Sequence, residues 1–297
     1  HYSQHSTELI DINHMRDEKE MLKFTKMQGI GNDYIYFSTF DQEINNPEAL
    51  SVRLSDRHFG IGGDGIILVC PSKVADAKMK MYNLDGSEGK MCRCVGKFLY
   101  DHGMVDYKEK DEITIETLSG IKSLKAYTTN GEVTSLRVDM GKAILDPKEI
   151  PVAMNKDKIV NEPVTIGDKE YNITCVSMGN PHCVVFMDDI DNLDIEKIGP
   201  MFENDKLFPE RVNTEFVTVL DDHIIKMRVW ERGSGETWAC GTGACAVAVA
   251  ACENGFCKKG DDIKIKLKGG DLVINYTDET VYMTGNAEKV FEGEIEV

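Results

Sequence analysis

The sequence is organised around one stretch, Trp230-Glu231-Arg232-Gly233-Ser234-Gly235-Glu236-Thr237-Trp238-Ala239-Cys240-Gly241-Thr242-Gly243-Ala244-Cys245. A strand ending in a charged pair is followed by a glycine-rich turn, and Cys240 then precedes an alanine-rich helix. Unpaired N–H groups and the positive end of the helix dipole favour a thiolate at such a position. Gly241 and Gly243 would let an anion approach the backbone. For a lone cysteine, however, a buried structural residue in a tight turn would be the preferred interpretation.

The chain contains this construction twice, at a constant offset of 148 residues. The alternating strand Lys78–Asn83 precedes Cys92 just as Lys226–Glu231 precedes Cys240. Two further pairs keep the same offset, namely Gly31-Asn32 with Gly179-Asn180 and Gly65 with Asn213. Self-similarity at one fixed offset indicates duplication of a structural unit. The sequence therefore predicts two homologous halves.

The helix that follows Cys240 indicates how each half is built. Ala244–Ala251 has small apolar side chains on all sides, which is typical of a helix enclosed by its own sheet. We therefore predict an α+β fold of two homologous domains related by pseudo-twofold symmetry. Each domain would be a curled mixed sheet around a central helix, with the active site in the cleft between them.

Composition excludes several classes of function. A net charge of −17 argues against nucleic-acid and anionic-membrane partners. No apolar run approaches the roughly 20 residues of a membrane span. Nine scattered cysteines do not suggest a disulfide framework, so we expect a cytoplasmic protein with reduced thiols. Residues 1–21 look like a tag or leader, and the organised chain is expected to begin at Met21 or Leu22.

Paired cysteines at helix starts allow three kinds of chemistry. A redox pair is disfavoured because the sequence has no Cys-x-x-Cys, and a metal site because the cysteines lack zinc-finger spacing. The glycine-rich loop Gly60–Gly65 lacks the features of a nucleotide site, so no cofactor is expected. The third kind is acid–base catalysis, in which one cysteine removes a proton from one face of a carbon and the other returns a proton to the opposite face.

Polar residues near these cysteines are candidates for binding, and each has a structural alternative. Asn32 and Asn180 follow glycine in matched turns, where they could bind substrate or cap the turn. Asn83 and Glu231 end matched strands nine residues before the cysteines, with an Asx-turn and a surface ion pair as the alternatives. Arg232 could bind a carboxylate. Asn213 could bind substrate or cap its loop, and His182 could hold a cysteine as thiolate or lie in the core.

The motifs resemble those of the diaminopimelate epimerases over about Leu22–Val297. They are Gly29-Ile30-Gly31-Asn32-Asp33-Tyr34, Asn83-Leu84-Asp85-Gly86-Ser87, Ser177-Met178-Gly179-Asn180-Pro181-His182, Arg211-Val212-Asn213, Glu231-Arg232-Gly233 and Ala239-Cys240-Gly241-Thr242-Gly243-Ala244-Cys245. The resemblance implies cofactor-independent epimerisation of LL-diaminopimelate to the meso form, in the synthesis of lysine and peptidoglycan precursors. A related racemase of the proline or hydroxyproline type is the closest alternative.

The resemblance also implies roles for individual residues. Cys92 and Cys240 would be the acid–base pair, with His182 and Glu231 placed to assist them. Gly241 and Thr242 would hold the reacting carboxylate with backbone N–H groups. The substrate would contact six side chains: Asn32, Asn83, Asn180, Asn213, Glu231 and Arg232. The family fold would divide the chain into residues 22–139 plus 286–297 and residues 140–285. A homodimer is one assembly that the sequence allows.

The sequence departs from the family pattern directly after Cys92. Relatives carry Gly-Asn-Gly and one further residue before the Arg-Cys pair, whereas here Cys92 runs into Arg93-Cys94. The internal repeat shows the same gap, because Cys240 is followed by Gly241-Thr242-Gly243. If the protein lacks these four residues, one anion-binding turn is lost and a non-catalytic binding protein becomes an alternative. If only the sequence as read omits them, the site is complete.

Overall fold

A computed structural model describes residues 20–89 and 93–297, in which 18 strands form one continuous mixed sheet with four helices packed on it. The strands of the first half are β1 (Met21–Gly29), β2 (Asn32–Ser38), β3 (Gly65–Cys70), β4 (Ala77–Asn83), β5 (Glu88–Gly89), β6 (Glu112–Thr117), β7 (Gly120–Thr129) and β8 (Glu132–Asp139). Its helices are α1 (Pro47–Ser55) and α2 (Cys94–Asp101). The first described strand begins at Met21, and residues 1–19 of the predicted tag or leader lie outside the described residues.

The second half repeats this element order after one additional strand. Its strands are β9 (Glu162–Ile166), β10 (Lys169–Ser177), β11 (Pro181–Phe186), β12 (Asn213–Asp221), β13 (Ile224–Glu231), β14 (Gly235–Thr237), β15 (Asp262–Leu267), β16 (Gly270–Tyr276), β17 (Val281–Asn286) and β18 (Glu288–Glu296). Its helices are α3 (Ile195–Glu203) and α4 (Gly241–Glu253). No described helix is long and apolar enough to cross a membrane.

Strand register carries the duplication to the level of single residues. In the parallel pair β2–β3, Ile35 lies opposite Ile66. The residues 148 positions later are Cys183 and Thr214, and they lie opposite each other in the parallel pair β11–β12. The antiparallel pairs β3–β4 and β12–β13 also keep this offset. The predicted repeat is therefore confirmed as a structural repeat of two α+β units.

The offset changes between β5 and the end of α2. Before the helix, β4–β5 and β13–β14 still differ by 148 residues. At the end of α2, the His102 N–H donates to the Phe98 carbonyl. The equivalent bond at the end of α4 runs from the Asn254 N–H to the Ala250 carbonyl, so equivalent residues here differ by 152 positions. The first half is therefore four residues shorter in this segment, in agreement with the gap inferred after Cys92. Cys92 itself lies outside the described residues.

The two halves are joined through equivalent strands. Strand β8 pairs with β17, its counterpart in the second half, so this pair lies at the centre of the continuous sheet. At one end β9 pairs with β10, and at the other β18 pairs along β1, from Met21 opposite Glu296 to Gln28 opposite Glu288. The C-terminal strand thus completes the sheet of the first half. On this pairing we propose that residues 286–297 belong to the first domain.

The small side chains of α4 explain its central position. Residues 243–251 are all buried, and they pack in one cluster with the strands of the second half and with α2. A helix of alanines and valines has a narrow radius, so strands can approach it on every side. The prediction of a helix enclosed by its own sheet is confirmed. Because residues 243–251 are buried, the positions of Gly241 and Thr242 at the start of the helix are fixed.

Helix α3 supports the strand that leads into the site, and its contact is testable. A Cβ atom at Gly199 would lie 2.3 Å from Cδ2 of Trp230, the residue before Glu231. Gly199→Ala should therefore lower the free energy of unfolding by about 1–3 kcal/mol, although alanine normally gains about 1 kcal/mol over glycine in a helix. Denaturant unfolding measures the change. The exposed neighbour Lys197→Ala should have little effect, and equal stability of the two variants would contradict this packing.

Candidate active site

Cys240 is the N-cap residue of α4, at the end of the β13–β14 hairpin. Its backbone is extended, with φ −140°, and its Sγ accepts a hydrogen bond from the Gly243 N–H at 3.3 Å. The Thr242 hydroxyl lies 3.8 Å from the same sulfur. Cys240 is 8% exposed. The thiol is therefore held by the first turn of the helix, as the sequence predicted, but is mostly withdrawn from solvent.

The protonation state of Cys240 differs from the expectation of a thiolate. Burial raises the pKa of the thiol well above its usual value, and the carboxylates of Glu231 and Glu215 raise it further. The Gly243 N–H and the Thr242 hydroxyl act in the opposite direction, as expected at a helix start, but they do not outweigh the other effects. Cys240 therefore rests as a thiol, the form that donates a proton.

Glu231 stands at the end of β13 beside this thiol. Its Oε1 accepts a hydrogen bond from the Thr237 hydroxyl at 2.5 Å. Burial raises the pKa of the Glu231 carboxyl, whereas hydrogen bonds from Thr237 and Cys240 and the nearby His182 lower it. The hairpin thus brings an acid–base group to Cys240 from nine residues upstream. Among the residues that the structure describes, Glu231 does not form the surface ion pair considered as an alternative.

A second group of polar residues lies behind Cys240. His182 is completely buried, with Nε2 3.0 Å from Asn180 Oδ1 and Nδ1 2.6 Å from Glu215 Oε1. Asn180 Nδ2 donates to the Thr242 hydroxyl at 3.2 Å. His182 and Asn180 were predicted from the sequence, whereas Glu215 was not. The available signal was one acid within the otherwise uncharged residues 213–220.

The first half contributes Asn32 and Asn83 to the same cavity. Asn83 ends β4, where its Oδ1 accepts a hydrogen bond from the Tyr34 hydroxyl at 3.4 Å and its Nδ2 donates to the Ser87 hydroxyl at 3.1 Å. The second contact spans the turn that follows β4, but it joins two side chains, whereas in the Asx-turn considered as an alternative the side-chain oxygen would accept from a backbone N–H. The structure thus places Asn83 both at the cavity and in the turn.

Asn213 and Arg232 have structural partners. Asn213 Nδ2 donates to the Pro181 carbonyl at 3.0 Å, and its Oδ1 accepts from the Arg232 N–H at 2.8 Å. The Arg232 guanidinium donates to the Glu210 carbonyl at 2.9 Å. Neither residue is among the described residues that line the cavity. Asn213 therefore caps its loop and fixes the backbone of Arg232.

Six of the predicted residues line a cavity of about 1640 Å³ between the halves, whereas Asn180 and His182 are not among its described lining residues. Its lining includes Asn32, Asn83, Glu231, Cys240, Gly241 and Thr242. Small-molecule sites usually occupy about 300–1,000 Å³, so this cavity is an open cleft. The first N–H groups of α4 have no partner within the helix, and they face the cleft at Gly241 and Thr242. The cleft can accept a carboxylate there.

Arg93, beside the gap in the first half, also borders this cleft. It is mostly buried, and its Nε donates to the Asn286 carbonyl at 3.0 Å. Its Nη2 is buried without a hydrogen-bond partner in residues 20–89 and 93–297. Of the four other basic residues in the described lining, Lys26 and Arg57 pair with Asp33 at 2.9 and 2.7 Å. Arg93 therefore adds positive potential that favours an anionic ligand.

Possible metal ligands form one cluster of three in the described parts of the chain. The cluster is Asp221, Asp222 and His223, which are exposed and do not line the cleft. The cleft lining has carboxylates of its own, among them Glu231 and Asp33, but the described ones form no such cluster with one another.

Comparisons with solved structures identify the fold. A PhzF-family phenazine biosynthesis protein from Bacillus anthracis matches with a TM-score of 0.68 at 15% identity, over 94% of this chain and all of that chain. A hydroxyproline epimerase from Agrobacterium vitis matches with a TM-score of 0.65 at 14% identity, over 95% of this chain and 94% of that chain. These likenesses confirm the predicted two-domain α+β fold.

Sequence comparisons identify the family. A sequence model of diaminopimelate epimerases matches residues 24–145 and 174–290. A diaminopimelate epimerase from Methanococcus maripaludis is 53% identical over 93% of this chain and its own full length. One from Agathobacter rectalis is 51% identical with the same coverage. The chain therefore belongs to the diaminopimelate epimerase family.

Proposed function

We propose that the protein converts LL-2,6-diaminopimelate to meso-diaminopimelate without a cofactor. The observation that carries this proposal is the buried Cys240 thiol at the start of α4, next to helix N–H groups that face the cleft. The substrate is taken from relatives of about half identity, which are named diaminopimelate epimerases. These relatives do not favour the proline-type alternative.

The proposed reaction inverts one α-carbon by a two-base mechanism. The thiolate of one cysteine removes the α-proton, which leaves a planar carbanion conjugated with the carboxylate. The thiol of the other cysteine gives its proton to the opposite face, so each cysteine ends in the state from which the other began. In the LL-to-meso direction we assign the resting Cys240 thiol as the donor and Cys92 as the acceptor of the α-proton. The N–H groups of Gly241 and Thr242 stabilise the charge that develops on the carboxylate.

The remaining candidates hold the rest of the substrate in this proposal. Asn32, Asn83 and Asn180 offer amides near the cleft, and Glu231 pairs with an amino group or assists Cys240. Arg232 reaches the distant carboxylate after it releases the Glu210 carbonyl, with Asn213 fixing its backbone. We further propose that the enzyme acts in the cytoplasm in lysine and peptidoglycan precursor synthesis. Light scattering tests a homodimer.

Exchange of the α-proton with solvent tests the reaction directly. Incubation with LL- or meso-diaminopimelate in heavy water should introduce deuterium at the α-carbon, measured by mass spectrometry. Cys240→Ala should reduce exchange by about 10²–10⁴-fold, because the acid–base group is lost. Cys252→Ala, at the far end of α4, is the matched control and should exchange like the parent. No exchange with either isomer, in the chain with the four missing residues restored, would rule out the proposed function.

The gap after Cys92 leads to a second prediction. Insertion of Gly-Asn-Gly-Ala between Cys92 and Arg93 should raise the rate of epimerisation by about 10²–10³-fold, since the insertion supplies N–H donors to the charged intermediate. Chiral chromatography of LL- and meso-diaminopimelate measures the rate. The same four residues inserted after Asn130, in an exposed turn, should not raise it. If both insertions have the same effect, the segment after Cys92 is not what limits turnover.

The carboxylate of Glu231 should control the acidity of Cys240. Because Glu231 raises the pKa of this thiol, Glu231→Gln should lower that pKa and increase the thiolate fraction at a given pH. The rate of Cys240 alkylation by iodoacetamide, followed by peptide mass spectrometry, should therefore rise at lower pH than in the parent. Glu236→Gln on the same hairpin, whose carboxylate pairs with Arg228, is the control. An unchanged alkylation profile in Glu231→Gln would contradict the assigned electrostatics.

A further inference from the structure

Glu215 is a buried carboxylate that the proposed reaction does not use. It lies on β12, is completely buried, and is opposite Val184 on β11 and Val229 on β13. Burial raises the pKa of this carboxyl, and the facing His182 lowers it. An acidic side chain at such a position costs free energy unless it is paired and hydrogen-bonded. Its retention in the core therefore requires an explanation.

The contacts of Glu215 lead to Cys240 step by step. Oε1 lies 2.6 Å from His182 Nδ1, and His182 Nε2 lies 3.0 Å from Asn180 Oδ1. Asn180 donates to Thr242, whose hydroxyl lies 3.8 Å from Cys240 Sγ. Both ring nitrogens of His182 thus have one fixed partner each, so the imidazole cannot turn without breaking a hydrogen bond.

Glu215 also approaches Cys240 directly, beneath the first turn of α4. A Cβ atom at Gly243 would lie 2.6 Å from Glu215 Oε1 and 3.0 Å from Cys240 Sγ. Only glycine leaves room for both groups. The other carboxylate oxygen, Oε2, has no hydrogen-bond partner within the described parts of the chain. Oε1 is therefore the oxygen that faces both the His182 ring and the turn that holds Cys240.

We propose that Glu215 is a positioning residue for the reaction at Cys240. Its carboxylate fixes the ring of His182, and through Asn180 it holds the Thr242 hydroxyl beside the thiol. The charged and titratable groups near Glu215 are His182 on β11, Glu231 on β13 and Cys240 on α4, and Cys183 lies on the opposite face of β11. The proposal rests on the proposed epimerase function, which it extends by one residue.

The kinetic test compares Glu215→Gln with a buried neighbour. α-Proton exchange and epimerisation are measured on the full chain, with and without the four-residue insertion after Cys92. Glu215→Gln should lower kcat at least ~10-fold and leave KM unchanged, as expected when a carboxylate that orients an imidazole is lost. Thr214→Val is the matched control, because Thr214 is buried on the same strand and its hydroxyl has no partner among the described residues. This variant should react like the parent.

Two readouts separate positioning from a general structural role. In a His182→Asn background, Glu215→Gln should cause no further loss, because its effect passes through His182. The short contact between Nδ1 and Oε1 should also give a proton resonance downfield of the amide region, and Glu215→Gln should remove it without any substrate present. If Glu215→Gln does not fold, Glu215→Asp is measured instead. Its side chain is one methylene shorter, so the carboxylate lies farther from His182 Nδ1, and we expect the same loss of kcat and of the resonance.

The outcomes are distinguishable. If the parent is active and Glu215→Gln is equally active, this proposal alone is overturned. It is also overturned if Glu215→Gln lowers the activity of the His182→Asn variant by as much as it lowers that of the parent. A parent that exchanges no proton overturns the proposed function, and with it this proposal, irrespective of the variant. A selective loss of kcat together with loss of the downfield resonance supports it.

Discussion

The site depends on the competition between a helix start and a buried environment at one sulfur atom. The Gly243 N–H and the Thr242 hydroxyl lower the pKa of Cys240, whereas burial and two carboxylates raise it. The second set of effects is the larger, so the free protein holds a proton that it can deliver. A helix dipole amounts to about half a positive charge, which a nearby full negative charge outweighs in a poorly solvated site. The same N–H groups remain available for a substrate carboxylate.

The opposing effects on the pKa of Cys240 depend on the enclosure of α4 by its sheet. Because residues 243–251 are buried on every side, the helix cannot shift, and its first turn presents Gly241 and Thr242 to the cleft. The sheet that encloses it continues through β8 and β17 into the first half, where β18 completes the opposite edge. The two halves therefore share one hydrogen-bonded sheet.

Much of this arrangement could be predicted from the sequence, because it follows from local patterns. The 148-residue offset gave the duplication, and the small side chains of Ala244–Ala251 gave the enclosed helix. The resting thiol could not be predicted, since it depends on burial and on Glu215, which is distant in sequence. The Glu210 carbonyl that holds Arg232 and the two backbone contacts of Asn213 are likewise tertiary. Sequence identified the side chains but not which contacts they make.

The repeat also shows that the pair of His182 and Glu215 has no charged equivalent in the first half. Displacing His182 and Glu215 by the 148-residue offset leads to Tyr34 and Ile67, both buried in the first half. Tyr34 donates to Asn83, whereas Ile67 carries no charge at all. A reaction that exchanges the roles of two thiols needs equivalent access to both faces of the carbon, but not equivalent surroundings. In the proposed reaction the two thiols start in different states, and an ionisable pair that is present near the start of α4 and not repeated in the first half gives the cycle a defined starting point.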